Sequence, residues 1–238
     1  YGNYIRVVPL VESLEQIDNL WELQDETARP GYYSTILKSI NVQTELTVSP
    51  KIARHRYTFT RSEGTLAVDL SNAGLMFENM SPEIEFANVF IRDHRTFVEL
   101  KIYGMNIFAV IETFCEDKKA IPEFWIDLKP YPDLKDFKMK QPCRFGVSFP
   151  TNRGTNWQMN VAFSFRDLDT AQENLENGAK VTFDQQVQMN LQTWENVCQK
   201  IKVESNDENL KSIFYSNLYH AFIKPIDCTG EHPTNPED

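Results

Sequence analysis

Asp93-His94-Arg95 sets an acid, an imidazole and a guanidinium side by side in a segment that reads as a loop, and serines are scattered through the chain. A serine–histidine–acid relay needs its nucleophile on a sharp exposed turn, and no G-x-S-x-G elbow supplies one. Cys115, Cys143, Cys198 and Cys228 show no C-x-x-C pairing and no histidine at zinc spacing, so a zinc site is not indicated. One disulfide is compatible with export, with no pairing favoured. Neither a P-loop nor a dinucleotide fingerprint occurs. With 34 Asp and Glu residues some carboxylates fall close together in any fold, so counting them selects none. Apart from these, Glu26 stands before the Pro30-Gly31 pair, His55 and Arg56 lie in an alternating segment, and His220 lies in a late aromatic segment; spacing alone assigns none of them a role.

These residues must be held by elements whose periods are legible. Val42, Thr44, Leu46 and Val48 alternate with polar neighbours, the period of a half-buried strand. His55, Tyr57 and Phe59 then share one face of the next strand, and Arg54, Arg56 and Thr58 the other. His55 is therefore expected as a buried, hydrogen-bonded histidine rather than a ligand, and Arg56 as a surface arginine or one that reaches a neighbouring domain. Leu66, Val68 and Leu70 repeat the alternation. Val98 to Ile102, the turn signal Tyr103-Gly104-Met105-Asn106 and Phe108 to Ile111 read as a β-hairpin. Phe145 to Phe149 and Met159 to Phe165 add two strands. Pro30-Gly31 reads as a turn into a strand. Many short alternating strands imply an antiparallel sandwich.

The period changes near Asp167. Asp169-Thr170-Ala171-Gln172 is expected to cap a short helix ending at Gly178, and Thr182-Phe183-Asp184-Gln185 forms a second capping box. Val187, Leu191, Trp194, Val197 and Ile201 predict a helix of about five turns. A third helix after Asp207 carries Leu210, Ile213, Phe214, Tyr215, Leu218, Tyr219 and Phe222, and is apolar nearly all round. Such a helix expects cover on more than one side. Cys228 to Asp238 reads as an exposed end. The reading is mainly β: a large antiparallel β-sandwich (a supersandwich) over 1–166, then two or three helices over 167–238.

A net charge of -10 excludes a nucleic-acid backbone as ligand, because such binders present a basic surface. No run approaches the ~20 apolar residues that span a bilayer. Tyr1 opens the chain without a basic or apolar leader, so the chain is expected to be part of a longer product.

Four ordered segments carry a resemblance. Glu26-Thr27-Ala28-Arg29-Pro30-Gly31-Tyr32-Tyr33 is similar to E-x-A-x-P-G-Y-Y. Glu45-Leu46-Thr47 with His55-Arg56-Tyr57-Thr58-Phe59 is similar to ELT…HRYTF. Val161-Ala162-Phe163-Ser164-Phe165 with Ala171 and Asn174-Leu175 is similar to a strand followed by A-x-x-N-L. Phe214-Tyr215-Ser216-Asn217-Leu218-Tyr219-His220 is similar to F-Y-[ST]-x-L-Y-H. Together they resemble glycoside hydrolase family 92, calcium-dependent exo-α-mannosidases. Tyr1-Gly2-Asn3 resembles that family's D-Y-G-D segment. The family's preceding S-G-T-G loop has no counterpart, and Leu23 stands where the family often has a histidine.

The resemblance implies an amino-terminal β-sandwich, linker helices and an (α/α)6 catalytic barrel that this chain lacks. It implies hydrolysis of terminal α-mannosides of glycans with inversion, by a protonated carboxyl and a carboxylate about 6.5–9.5 Å apart. It implies calcium, held by oxygen ligands in the barrel, and none in this chain. It also implies an extracytoplasmic, bacterial setting. On this view Glu26, His55, Arg56 and His220 are the candidate substrate contacts, Glu26 being alternatively a brace for the Pro30-Gly31 turn. Trp21, Trp125 and Trp157 are alternatives between sugar platforms and packing, while Trp194 is packing. The chain alone is expected to be inactive. The alternatives are a non-catalytic carbohydrate-binding module and a structural β-sandwich.

Overall fold

The computed structural model describes residues 5–60, 63–71, 84–116, 118–152 and 156–222. Tyr1-Gly2-Asn3, Cys228 and the acidic end lie outside the described residues. Fifteen strands precede three helices: β1 (Arg6–Leu10), β2 (Leu23–Arg29), β3 (Tyr32–Leu37), β4 (Val42–Ser49), β5 (Ile52–Phe59), β6 (Gly64–Asp69), β7 (Ile84–Arg92), β8 (Arg95–Ile102), β9 (Met105–Cys115), β10 (Lys118–Lys119), β11 (Glu123–Ile126), β12 (Lys129–Tyr131), β13 (Asp136–Lys138), β14 (Phe145–Thr151), β15 (Asn156–Ser164), α1 (Leu168–Gly178), α2 (Phe183–Cys198) and α3 (Glu208–Phe222). A short 3-10 helix, Leu14–Asp18, follows β1.

The strands form two antiparallel sheets. The small one runs β1-β6-β14-β11-β12, the large one β13-β7-β8-β9-β15-β5-β4-β3-β2 with β10 beside β9. Between them lies the main core, where Val42, Tyr57, Phe59, Leu66, Val68, Ile111, Phe124, Phe145, Val147, Phe149, Met159 and Val161 meet. The mainly-β sandwich followed by helices is the architecture observed. No helix among the described residues is long and apolar enough to cross a membrane.

The large sheet is not open to solvent on its second face. Ile52, Phe97, Phe108, Val110 and Ala162 point away from the sandwich core and pack under Ala171 and Leu175 of α1. β9 is therefore buried almost continuously from Ile107 to Thr113, as a strand covered on both faces must be. The same cover corrects the half-buried pattern expected for β4. Glu45 and Thr47 are buried on the helix side, while Val48 is exposed. The small sheet's outer face is covered by the 3-10 helix, with Ile17 and Leu14 against Val8, Leu10, Ala67 and Trp125.

Turn chemistry fixes the registers. Tyr103 and Gly104, both with positive φ, form the two-residue β8–β9 turn, with Ile102 opposite Met105. Gly31, φ +73, completes the β2–β3 turn. The helix starts divide. Thr182 and Gln185 form the expected capping box of α2. The cap of α1 is Asp167 instead of Asp169: its carboxylate accepts from the Thr170 amide at 2.7 Å. α2 stops at Cys198, so Ile201 falls beyond it and is exposed. α3 buries no residue.

Gly146 in β14 is demanded by packing. A Cβ there would collide with the backbone carbonyl of Val68 on β6 and with the Trp125 ring, neither of which has room to yield. Gly146→Ala is expected to destabilise the chain by about 3 kcal/mol or prevent folding, whereas Gly104→Ala, whose Cβ would meet open space but whose φ is +75, should cost only about 1 kcal/mol. Urea denaturation of the two variants checks the ranking.

Candidate functional site

β5 presents chemistry to both sides of the large sheet. Toward the small sheet, His55 shares a 2.8 Å hydrogen bond from Nδ1 to the Tyr57 hydroxyl. Burial pushes His55 down to about 4 and Tyr57 up, so the pair is neutral near pH 7. Both line a cleft of about 270 Å³ at the sandwich edge with Arg6, Trp21, Tyr33 and Thr44. The indole N–H of Trp21 and the hydroxyl of Thr44 are buried there without a partner among the described residues. Glu26 lies beside a bulge in β2, where Asp25 takes φ 53. Its carboxylate accepts from the Tyr33 hydroxyl at 3.0 Å, so it braces the neighbouring strand's tyrosine.

Toward the helices, β5 presents Arg54 and Arg56. Arg54 is 3% exposed and donates to the carbonyls of Gly178 at 2.6 Å and Val181 at 3.0 Å, so it caps the carbonyl end of α1. Gly178 permits this approach, since a Cβ there would strike Ile52. Arg56 binds both Glu45 oxygens at 2.7 Å and Asp184 of α2 at 2.9 Å, and its guanidinium lies 4.3 Å over the Phe183 ring. The Tyr32 hydroxyl also donates to Glu45. The hydrogen bonds to Glu45 hold Arg56 firmly in its charged form.

Asn190, two turns along α2, completes the seam. Its amide nitrogen lies 3.2 Å from the Gly31 carbonyl, 3.0 Å from the Thr47 hydroxyl and 2.8 Å from the Val48 carbonyl. Phe183, Gln186, Val187 and Asn190 thus form the docking face. The Leu191, Trp194 and Val197 stripe turns elsewhere, with the Trp194 ring tilted against Tyr219 of α3 at 4.5 Å between centroids.

The structure brings Glu26 and His55 to one side through Tyr33 and puts Arg56 on the other. His220 is exposed on α3 with its ring edge-on to Tyr219. Trp125, under the 3-10 helix, and Trp157, in the core between the sheets, are 0% and 4% exposed and so offer no sugar platform. Trp21 alone of the three borders a cleft. The Asp93-His94-Arg95 turn builds an ion cluster in which His94 and Lys119 bind Glu112. Burial pushes Glu112 up, but the hydrogen bond and charge of Lys119, then Arg95 and His94, outweigh it and hold the carboxyl below its ordinary range. The buried carboxylates Glu45, Asp69 and Glu112 are all paired with cations, an arrangement opposite to that of a protonated general acid. Among the described residues there is no group of three or more His, Cys, Asp or Glu that could hold a metal ion. Arg54 and Asn190 were not singled out in the sequence. The glycine at 178 and the i, i+7 spacing of Phe183 and Asn190 are the signals that mark them.

Residues 3–164 match the model described as the glycosyl hydrolase family 92 N-terminal domain, and residues 170–237 the model described as the glycosyl hydrolase family 92 catalytic domain. No curated protein matches the sequence. Among solved structures, the family GH92 alpha-mannosidase BT3965 from Bacteroides thetaiotaomicron aligns with TM-score 0.78 at 20% identity, over 95% of this chain and 33% of that one. The family GH92 inverting mannosidase BT2199 from Bacteroides thetaiotaomicron VPI-5482 aligns with TM-score 0.75 at 15% identity, over 92% and 29%. The gh92 family glycosyl hydrolase ccman5 gives 0.76 at 17%, over 96% and 33%. The chain spans about a third of the length of these structures.

Two outcomes follow from the geometry. Asn190→Ala removes the amide from three acceptors and should cost about 1–3 kcal/mol, with hydrogen exchange accelerating along α2 before the strands. His55 is neutral in the fold and titrates near 6.5 when unfolded, so the unfolded state binds more protons below that pH. Stability is therefore intact above pH 6.5 and lost as pH falls toward 4, by up to about 3 kcal/mol. Denaturation at pH 7 and pH 5, compared with His55→Gln, reads this contribution.

Proposed function

We propose, from the premise that this chain belongs to glycosyl hydrolase family 92, that it forms the sandwich and first helices of an inverting exo-α-mannosidase acting on terminal α-mannosides of glycans. In this reading the sandwich is the scaffold against which a helical catalytic domain is set. The observation that carries it is the state of the three helices. α1 and α2 are anchored to the sheet by Arg54, Arg56 and Asn190. α3 leaves Leu210, Ile213 and Phe222 more than half exposed, on a segment that matches the catalytic-domain model. A helix with apolar surface on several sides is the start of a larger helical packing.

Inversion needs one carboxyl kept protonated and a second ionised to activate water. The buried carboxylates described above are committed to cations, which supports placing acid, base and calcium ligands in residues other than these. An extracytoplasmic place of action belongs to the same reading, since it is where glycan substrates are met.

The test pairs this chain with the longest protein whose reading frame contains it. The longer protein with calcium should release mannose from an α-mannobiose, with β-mannose as the first anomer seen by proton NMR, and the 238-residue chain should release none. First-formed α-mannose, or turnover by the chain alone, would overturn the proposal.

A further inference from the structure

A cavity of about 370 Å³ lies between the outer face of the large sheet and the turn joining α1 to α2. Its floor comes from neighbouring strands. Asn160 of β15 stands opposite Arg54 of β5 on one side and Glu112 of β9 on the other. Gln158 stands opposite Arg56 and Phe114. Ala179, Val181 and Thr182 form one wall, Glu116 and Lys119 another.

Asn160 is 3% exposed, and its carboxamide makes no hydrogen bond with any described residue. Neither carboxamide atom is among the polar atoms sealed from solvent without a partner, so the group opens on the cavity, where a molecule other than protein can pair with it. Glu112 points the same way. Its Oε1 takes His94 and Lys119, while Oε2 has no hydrogen bond among the described residues. The Nε of Arg54 is likewise buried without a partner.

The lining limits the ligand class. An anion would face Glu112 and Glu116. A cation would face Lys119 and Arg54. A hydrocarbon would leave the Asn160 amide stranded. Hydroxyl groups donate and accept at once, which matches two carboxamides and a carboxylate, and Phe114 offers apolar surface to a ring face. The volume falls at the lower end of small-ligand sites. We infer that this cavity binds an uncharged, polyhydroxylated ring of the sugar type, held by Asn160, Gln158 and Glu112. The inference goes beyond the mannosidase reading, because the site needs no acid–base pair and lies on the sheet face opposite His55.

The test is a titration of the ¹⁵N-labelled chain with methyl α-D-mannopyranoside, D-mannitol and sodium sulfate. The pyranoside should shift the side-chain amide signals of Asn160 and Gln158 saturably, and the acyclic polyol and the anion should not. Gln158→Ala should weaken binding about tenfold. Asn160→Leu should abolish it while leaving Tm within about 2 °C, since no protein group loses a partner. The inference is overturned by no saturable shift up to about 100 mM pyranoside, by equal shifts with mannitol or sulfate, or by shifts confined to the Trp21 cleft. Loss of the fold in Asn160→Leu would also sink it, by making the amide structural. Mannose release by the longer protein is decided separately, so either proposal can fail alone.

Discussion

Arg54 and Arg56 sit two residues apart on β5, on a sheet face that the helices cover. A guanidinium in that position must find acceptors, because an uncompensated buried charge costs several kcal/mol. Arg54 finds the carbonyls ending α1, and Arg56 finds Glu45 and the first turn of α2. These demands place the helices discretely. A shift of α2 by one residue would move Asp184 away from Arg56 and Asn190 away from three acceptors on the β2–β4 region.

The small sheet uses the same device. Asp69 is fully buried at the end of β6, and Arg144 reaches it at 2.9 Å while also holding Asp18 at the end of the 3-10 helix. Arg6 is a second arginine bonded to Asp18. So each sheet's outer cover, a single turn in one case and two helices in the other, is pinned by arginines that project outward from the sandwich. Apolar packing supplies the attraction under each cover, through Ile17 and Leu14 or Ala171 and Leu175. The charged contacts supply the register.

What the sequence disclosed follows from which forces act locally. The two faces of β5 were legible because alternation is a property of the strand itself. The Thr182 capping box was legible because all four residues lie within one turn. Asp167 and Asp169 offer the same side chain two residues apart, and only the path of the chain after β15 decides between them. Arg56 read by default as a surface arginine, since Asp184 lies 128 residues away in sequence. Glu45 is buried for a related reason, since Arg56 and α2 cover the polar face of β4, while Val48, near the strand's end on the opposite face, is exposed. Long-range cover, unlike period, leaves no local mark.

The helices are unequal in how they are held. α1 and α2 touch the sheet directly through apolar and charged groups. α3 touches the rest through α2 and the turn before it: Trp194 against Tyr219, and the Tyr215 hydroxyl near the Val203 amide and the Ile201 carbonyl. It makes none of the charged contacts that anchor α1 and α2, and it leaves Leu210, Ile213 and Phe222 more than half exposed. Displacement of α3 reaches the sheet through α2, and there it meets Arg56, Glu45 and Tyr32 on one seam.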